Sequence, residues 1–483
     1  MPRHAILITV DCLRYDRLSV AGYDRPVSPT MDALAEVGAF CDEAIATGPN
    51  TRTSFPGILC STYPLMYGGY AQLTGTRQVV SEAFQDRGFR TVGVNTNTQL
   101  HSRFGWDRGF DVYYDNERTL VDDQSLDIET GDSSDDGSRA AEFVETAKEK
   151  VYASLDQNGL PYRLVESVYR RVATRSAPHT SASEAVDRAF RYLDALPGEK
   201  PLFLWVHFME PHSPYVPPRS YREQFLDEPL SDSEMWRIND KVNTKEADAT
   251  DREVSIISDL YDASIREVDD QIGRLVEGLR ERGYWEDAMA ILCGDHGEEF
   301  REHGELAHGG RPYDELVRVP LIVRRGDESI SFPEGVTSTI DVAPTLLDAT
   351  VEDATVPERF HGLSLDPILR SEEPMPEDRA VFSQIAAGGW REIDLNNRIT
   401  ACRTDEWKFI TSVRDEDADE LFYIPEDQYE QNDCAAANPE TVDAMIDRVA
   451  DHYALDAYEN YAIEDAVEPD DLGDQLEALG YVK

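Results

Sequence analysis

Three short apolar runs constrain this chain most: AILITV at 5–10, PLFLWV at 201–206 and AMAILCG at 288–294. Each is too short to cross a bilayer, which takes about 20 apolar residues. Each is also too uniformly apolar to keep one face in water. Such runs read as strands buried on both faces of a parallel sheet. Each leads directly into ionisable residues: Asp11 after the first, His207, Glu210 and His212 after the second, Asp295 and His296 after the third. Open α/β sheets bind ligands beyond the carboxyl ends of their strands.

Segments of helical period separate the strands. They are TMDALAEVGAFCDEA (30–44), SEAFQDRGF (81–89) before a strand at 91–95, SASEAVDRAFRYLDAL (181–196) with a Ser cap, ISDLYDASIREVDDQIGRLVEGLRERG (257–283) and TIDVAPTLLDATV (339–351). LVRVPLIVRR (316–325) reads as a further strand. The alternation predicts an α/β fold with a mostly parallel central sheet and helices on both faces. A catalytic domain is expected over 1–375, with insertions at about 115–180 (partly helical near 139–153) and 219–250 that shape the pocket rim. After 375 the pattern changes: ITACRTDEWKFITSV and ELFYIPED read as antiparallel strands and NPETVDAMIDRVADHYAL as a closing helix. Residues 376–483 are therefore expected to form a small α+β subdomain.

The 483 residues include 95 acidic and 46 basic ones, a net charge of −49, and only seven of the basic residues are lysine. The acid is spread along the chain, as suits a hydrated surface in a high-salt cytosol. No basic stripe exists to displace counterions from a nucleic acid. Six cysteines with no CxxC pair make no disulfide framework. The N-terminus lacks the apolar core and cleavage site of a signal peptide, and no apolar run is long enough to span a membrane. The expectation is a soluble, cytoplasmic protein; its oligomeric state is not legible.

Five of the ten histidines fall in two stretches, His207 and His212 in one, His296, His303 and His308 in the other. Asp11, Asp295 and His296 at strand ends offer hard and borderline ligands for one divalent cation. Asp295-His296 between Gly294 and Gly297 also suits a helix cap. The turn GPNTRTSFPG (48–57) places three hydroxyls before an apolar helical run. Ser54 is read as the N-cap. Thr51, three residues earlier, is read as the hydroxyl free to face a cation, where coordination and the helix dipole make it a usable nucleophile.

Together these pieces resemble the sulfatases of the alkaline phosphatase superfamily, in a haloarchaeal-type form with Thr at the nucleophile position. The resemblance rests on LITVDCLRYDRLSVAGY, GPNTRTSFPGILCSTYP, FGWDRGFDVY, VHFMEPHSPYVPP, YDASIREVDDQIGRL, GDHGEEFREHGELAHGG, YDELVRVPLIV, TIDVAPTLLD, HGLSL and RTDEWKFI, all in family order. It implies that Asp11, Asp295 and His296, with Thr51, hold a divalent cation (Ca²⁺, Mn²⁺ or Zn²⁺, one ion or two). It implies Thr51 as nucleophile. It gives His212 and His308 to the ester oxygens, or to a second ion. His207, His303, Arg52 and Asn97 are secondary substrate-binding candidates.

The departures from the family pattern are specific. Thr51 stands where most sulfatases carry the Cys or Ser converted to formylglycine, and Thr cannot form that aldehyde. Cys12 replaces an adjacent metal-binding Asp, Phe55 an Arg, His308 a Lys, and GVNT (93–96) a Lys- and His-containing segment; Cys60 is a core residue. The implied activity is metal-dependent hydrolysis of a sulfate or phosphate ester on a small molecule or glycan. A metal-bound Thr is also the pattern of phosphodiesterases and of phospho-alcohol transferases acting on glycans or lipids. An inactive binding protein on the same fold is the remaining alternative.

Overall fold

A computed structural model of the chain describes residues 1–121, 179–196, 199–243, 249–352, 355–388, 393–414 and 418–458. The predicted helical stretch near 139–153, and most of the first insertion, lie outside these residues.

The central sheet has eight strands: β1 His4–Val10, β2 Ala39–Cys41, β4 Arg90–Asn95, β5 Val112–Asp115, β6 Thr119–Val121, β7 Leu202–Phe208, β8 Ala288–Gly294 and β11 Leu321–Arg325. Their spatial order is β2-β11-β8-β1-β7-β4-β5-β6. The five strands from β8 to β5 run parallel, and β11, β2 and β6 add antiparallel edges. Every residue of β1, β7 and β8 is buried, as their unbroken apolar runs require. The side chains of β1 alternate between two cores. Ile6, Ile8 and Val10 meet α1 (Pro29–Val37), α4 (Ala182–Ala195), α5 (Arg219–Phe225), α6 (Asp232–Asn243) and α7 (Asp251–Glu281). Ala5 and Leu7 meet α2 (Thr51–Cys60), α3 (Val80–Asp86) and α9 (Val342–Thr350).

Two predicted segments divide differently. The stretch 30–44 is helical only to Val37. At Gly38 a Cβ would lie 2.3 Å from the carbonyl oxygen of Val323, so the chain passes hard against β11 and continues as its edge partner β2. In 316–325 the first residues belong to a short helix, α8 (Asp314–Val317), and the strand begins only after Pro320, whose missing N–H suits an element boundary. The described part of 219–250 is α5 and α6, and Phe225, Met235, Ile238 and Val242 join the same core as α7. Cys60 is fully buried in the other core, as expected.

Two minor pairings, β3 (Ala44–Ile45) with β12 (Thr337–Ser338) and β9 (Glu299–Phe300) with β10 (Leu306–Ala307), tie loops together at the strand ends. The C-terminal part is an antiparallel sheet of β13 (Val381–Gly388), β14 (Ile393–Arg403), β15 (Trp407–Ser412) and β16 (Glu420–Tyr423), followed by α10 (Pro439–Tyr453). Among the described residues no helix is long and apolar enough to cross a membrane.

Lys408 on β15 fastens this sheet to the body. Its buried Nζ lies 2.6 Å from Asp314 Oδ1 at the start of α8 and 2.5 Å from Glu430 Oε1. Removing the cation strands the buried Asp314 carboxylate, beside a Glu430 that burial already raises to about 8, and breaking such a buried pair costs about 3–5 kcal/mol. Lys408→Met is therefore expected to lower unfolding free energy by roughly that amount, read by urea denaturation at near-neutral pH. A change below about 1 kcal/mol would show the pair to be dispensable.

Candidate active site

The register of the three buried strands builds the site. Val10 pairs with Phe208 on one side and Gly294 on the other, so the residues just past β1 and β8 and at the end of β7 lie side by side. Asp11, His207 and Asp295 offer ligand atoms that all lie within 4.8 Å of one another, and all three are fully buried. At that separation two carboxylate charges repel by about 3 kcal/mol for an effective dielectric of about 20.

Asp11 Oδ2 lies 2.6 Å from Asn97 Nδ2, 3.3 Å from His207 Nε2 and 3.4 Å from Thr51 Oγ1. Its Oδ1 faces Cys12 Sγ at 3.2 Å and His296 Nε2 at 3.4 Å. Burial alone would raise Asp11, but the His207 and His296 contacts outweigh it and hold the acid well below the carboxylate range. Asp295 spends Oδ1 on the backbone N–H groups of Cys12 and His296, at 3.1 and 2.8 Å. Its buried Oδ2 has no hydrogen-bond partner among the described residues and lies 3.6 Å from His296 Nε2. Burial and the Asp11 charge raise Asp295 to about 6. His296 donates Nδ1–H to the Gly297 carbonyl at 2.8 Å, which leaves Nε2 to face the acids. Burial works against its charge, yet Asp295 and Asp11 raise it to about 9.

Thr51 enters from the other core. It is the first residue of α2, fully buried, with Oγ1 3.4 Å from both Asp11 Oδ2 and His296 Nε2 and 3.3 Å from Asn97 Nδ2. The helix begins one turn earlier than expected. Asn50, not Ser54, is the N-cap: its Oδ1 accepts from Thr53 N–H and Thr53 Oγ1 accepts from Asn50 N–H. Ser54 donates to the Gly48 carbonyl at 2.8 Å and fastens the preceding turn. Thr51, freed from capping, stands where the first-turn N–H groups favour an anion.

A second group adjoins the first. Cys12 Sγ lies 3.6 Å from His308 Nδ1, and Cys12, His212 and His308 offer ligand atoms within 4.8 Å of one another. His212 donates Nδ1–H to the Ser213 carbonyl, and burial lowers it to about 4. Glu298 Oε1 is 3.0 Å from His308 Nδ1, and its Oε2 accepts from Tyr215 O–H at 2.7 Å. Burial opposes the Glu298 charge, but His308 outweighs it and lowers the acid. Asn239 on α6 grips the backbone N–H and carbonyl of Tyr215. The second insertion thus reaches the site through Asn239, Tyr215 and Glu298.

Asp11, Thr51, Asn97, His207, His212, Asp295, His296 and His308 therefore meet. His303 does not join them. It lies 2.6 Å from Glu315 Oε1 and 3.0 Å from the Glu430 carbonyl and stacks on Tyr313 at 3.6 Å, a bracket to the C-terminal part. Arg52 turns its guanidinium over the Tyr70 ring at 5.4 Å. Cys12 and Glu298 were missed as site residues. Cys12 was a visible ligand type beside Asp11; Glu298 had only its place in DHGEE.

The donor set fits a divalent cation. Two buried acids repel, Asp295 Oδ2 has no hydrogen-bond partner among the described residues, and His296 Nε2 faces both.

Residues 3–352 match the sulfatase family, and 308–452 match the C-terminal region of N-sulphoglucosamine sulphohydrolase. The chain belongs to the sulfatase family. It is a sulfatase-like ester hydrolase. An arylsulfatase of Clostridium perfringens is 24% identical over 404 residues, 76% of this chain and 79% of that protein. Among solved structures, a protein in complex with its substrate D-glucosamine-2-N,6-O-disulfate superposes with a TM-score of 0.68 at 18% identity, covering 95% of this chain and 98% of the other. A phosphonate monoester hydrolase of Agrobacterium radiobacter gives 0.65 at 19% identity, covering 94% and 96%. At these identities the structures share the fold.

A cation displaces protons from its ligands, so binding to the ion-free protein strengthens with pH. Affinity for Mn²⁺ is expected to climb from about pH 6, where Asp295 ionises, to about 9, where His296 gives up its proton and becomes neutral. Calorimetry in buffers of different ionisation heat reads the released protons, and a flat profile would contradict the assignment. The same His296 shift stabilises the ion-free fold below pH 6.5, and that contribution is lost as pH rises through about 9.

Proposed function

We propose that the protein cleaves a sulfate or phosphate ester of a small molecule or glycan, with Thr51 as the attacking group. The observation that carries this reading is the position of Thr51 Oγ1, buried at the mouth of α2 and 3.4 Å from both Asp11 Oδ2 and His296 Nε2. A divalent cation held by Asp11, Asp295 and His296 would lower the pKa of the Thr51 hydroxyl and offset charge on the ester oxygens.

The chain's own groups do the rest. Thr51 Oγ loses its proton to solvent and bonds to the sulfur or phosphorus as the bond to the leaving alcohol oxygen breaks. That oxygen keeps the electron pair and takes a proton from water. Water then attacks the same sulfur or phosphorus, Thr51 recovers its proton, and sulfate or phosphate leaves. Asn97 Nδ2 and the first-turn N–H groups of α2 are donors for the charge on the non-bridging oxygens. His207, 2.9 Å from Thr9 Oγ1, has its ring fixed and holds Asp11 in place.

A second reading, cleavage of a phosphodiester, is favoured by Thr51 itself. An unmodified hydroxyl forms a phosphothreonine without any prior side-chain oxidation, whereas it cannot supply the aldehyde on which most sulfatases rely. Both readings share the first half-reaction.

p-Nitrophenyl sulfate, p-nitrophenyl phosphate and bis-p-nitrophenyl phosphate, each with Ca²⁺, Mn²⁺ and Zn²⁺, separate them. At least one ester is expected to turn over. Thr51→Ala should lower kcat by about 10³-fold or more, while Thr51→Ser keeps measurable activity. Full activity in Thr51→Ala would overturn the nucleophile assignment.

A further inference from the structure

The loop that delivers Thr51 is held from outside the central sheet. Residues 46–48 run beside β13, the first strand of the C-terminal sheet. Ser383 Oγ donates to the Ala46 carbonyl, and Gln384 N–H donates to the Thr47 carbonyl at 2.8 Å. Gly48 follows, and a Cβ there would lie 2.9 Å from the Gln384 carbonyl oxygen as well as 2.2 Å from Thr53 Oγ1. The loop is therefore pressed between β13 and the first turn of α2. Two residues further along β13, the Ala386 carbonyl accepts from Tyr70 O–H at 2.7 Å, and the Tyr70 ring carries the Arg52 guanidinium.

Gln384 is fully buried, and its carboxamide uses both ends. Oε1 accepts at 3.4 Å from the N–H of Leu65, in the stretch that follows α2. Nε2 lies 3.0 Å from His452 Nε2, 3.0 Å from the Tyr453 hydroxyl and 2.9 Å from that of Tyr458, at the end of α10 and just past it. Burial lowers His452 to about 3, so its ring is a neutral acceptor. Thr400, opposite Gln384 on β14, contacts the same Tyr453 hydroxyl at 2.7 Å. Glutamine is an uncharged side chain that donates and accepts at once. An apolar replacement would take the acceptor away from the buried Leu65 N–H.

We propose that Gln384 is a positioning residue for the nucleophile. Its carboxamide fixes β13 against α10 and the stretch after α2, and β13 in turn fixes the loop from which Thr51 enters the site. The inference rests on reading Thr51 as the attacking group, and Gln384 acts on it through Thr47 and Gly48. A displacement of about 1 Å at a reacting atom costs up to about 10²-fold in rate. Loosening this contact is therefore expected to lower kcat rather than substrate binding.

Gln384→Met, which keeps the length and removes both polar ends, tests it. On the p-nitrophenyl ester that the wild-type protein turns over fastest, kcat is expected to fall about tenfold or more, with KM and Mn²⁺ affinity within about twofold of wild type. Amide hydrogen exchange over residues 46–54 is expected to quicken about tenfold or more while that of β15 is unchanged. Should Gln384→Met fail to fold, Ser383→Ala, which frees the Ala46 carbonyl, is read the same way. Wild-type kcat in the folded variant, or exchange over 46–54 that is unchanged or quickens only together with β15, would overturn the proposal. If the wild-type protein turns over no ester, the hydrolase reading falls, and the exchange measurement alone decides whether Gln384 holds the loop.

Discussion

The site depends on two acids that the sheet forces together. β1 lies between β7 and β8, with Val10 opposite both Phe208 and Gly294. Asp11 and Asp295 therefore emerge side by side, both fully buried. Isolated buried carboxylates would protonate or demand partners. Here one is held ionised by histidines, and the other is raised to about 6, with one oxygen left without a hydrogen-bond partner among the described residues. The cluster is incomplete as a set of hydrogen bonds and complete as a set of ligands.

Thr51 reaches that cluster because the helix that carries it is fixed at its very start. The Asn50–Thr53 capping box sets the first turn. Gly48 allows it: a Cβ there would lie 2.2 Å from Thr53 Oγ1. Thr47 Oγ1 donates to the Thr53 carbonyl at 3.0 Å, binding the incoming loop to the helix. A hydroxyl that served as the cap would be turned back on its own helix. Because Asn50 and Thr53 take that duty, Thr51 faces outward, toward Asp11 and His296.

Much of this arrangement is legible in the amino-acid sequence because it is local. Unbroken apolar runs fix the buried parallel strands, and the first ionisable residue after each lies at the ligand-binding edge by construction. Asp11, His207, Asp295 and His296 are found that way. Spatial questions are less legible. Asn50 and Ser54 are both acceptable caps by residue type, and only the Gly48 turn decides between them. His303 sits five residues before His308 yet belongs to the C-terminal bracket, because the β9–β10 hairpin turns it toward Glu315 and Glu430. Cys12 reads as a lost acid until its left-handed backbone is seen to aim the sulfur at His308. Glu298 depends on a contact with Tyr215, 83 residues away in the chain, which no local pattern signals.

The central claim is that Thr51 becomes covalently bonded to the sulfur or phosphorus during turnover. Acid-quenching the wild-type protein at steady state, digesting it and weighing the peptide that contains Thr51 tests this directly. A sulfo or phospho group on Thr51, appearing with substrate and absent without it, is the predicted result. An unmodified Thr51 peptide at every quench time, or the group on another residue, in a protein that is turning over would contradict it.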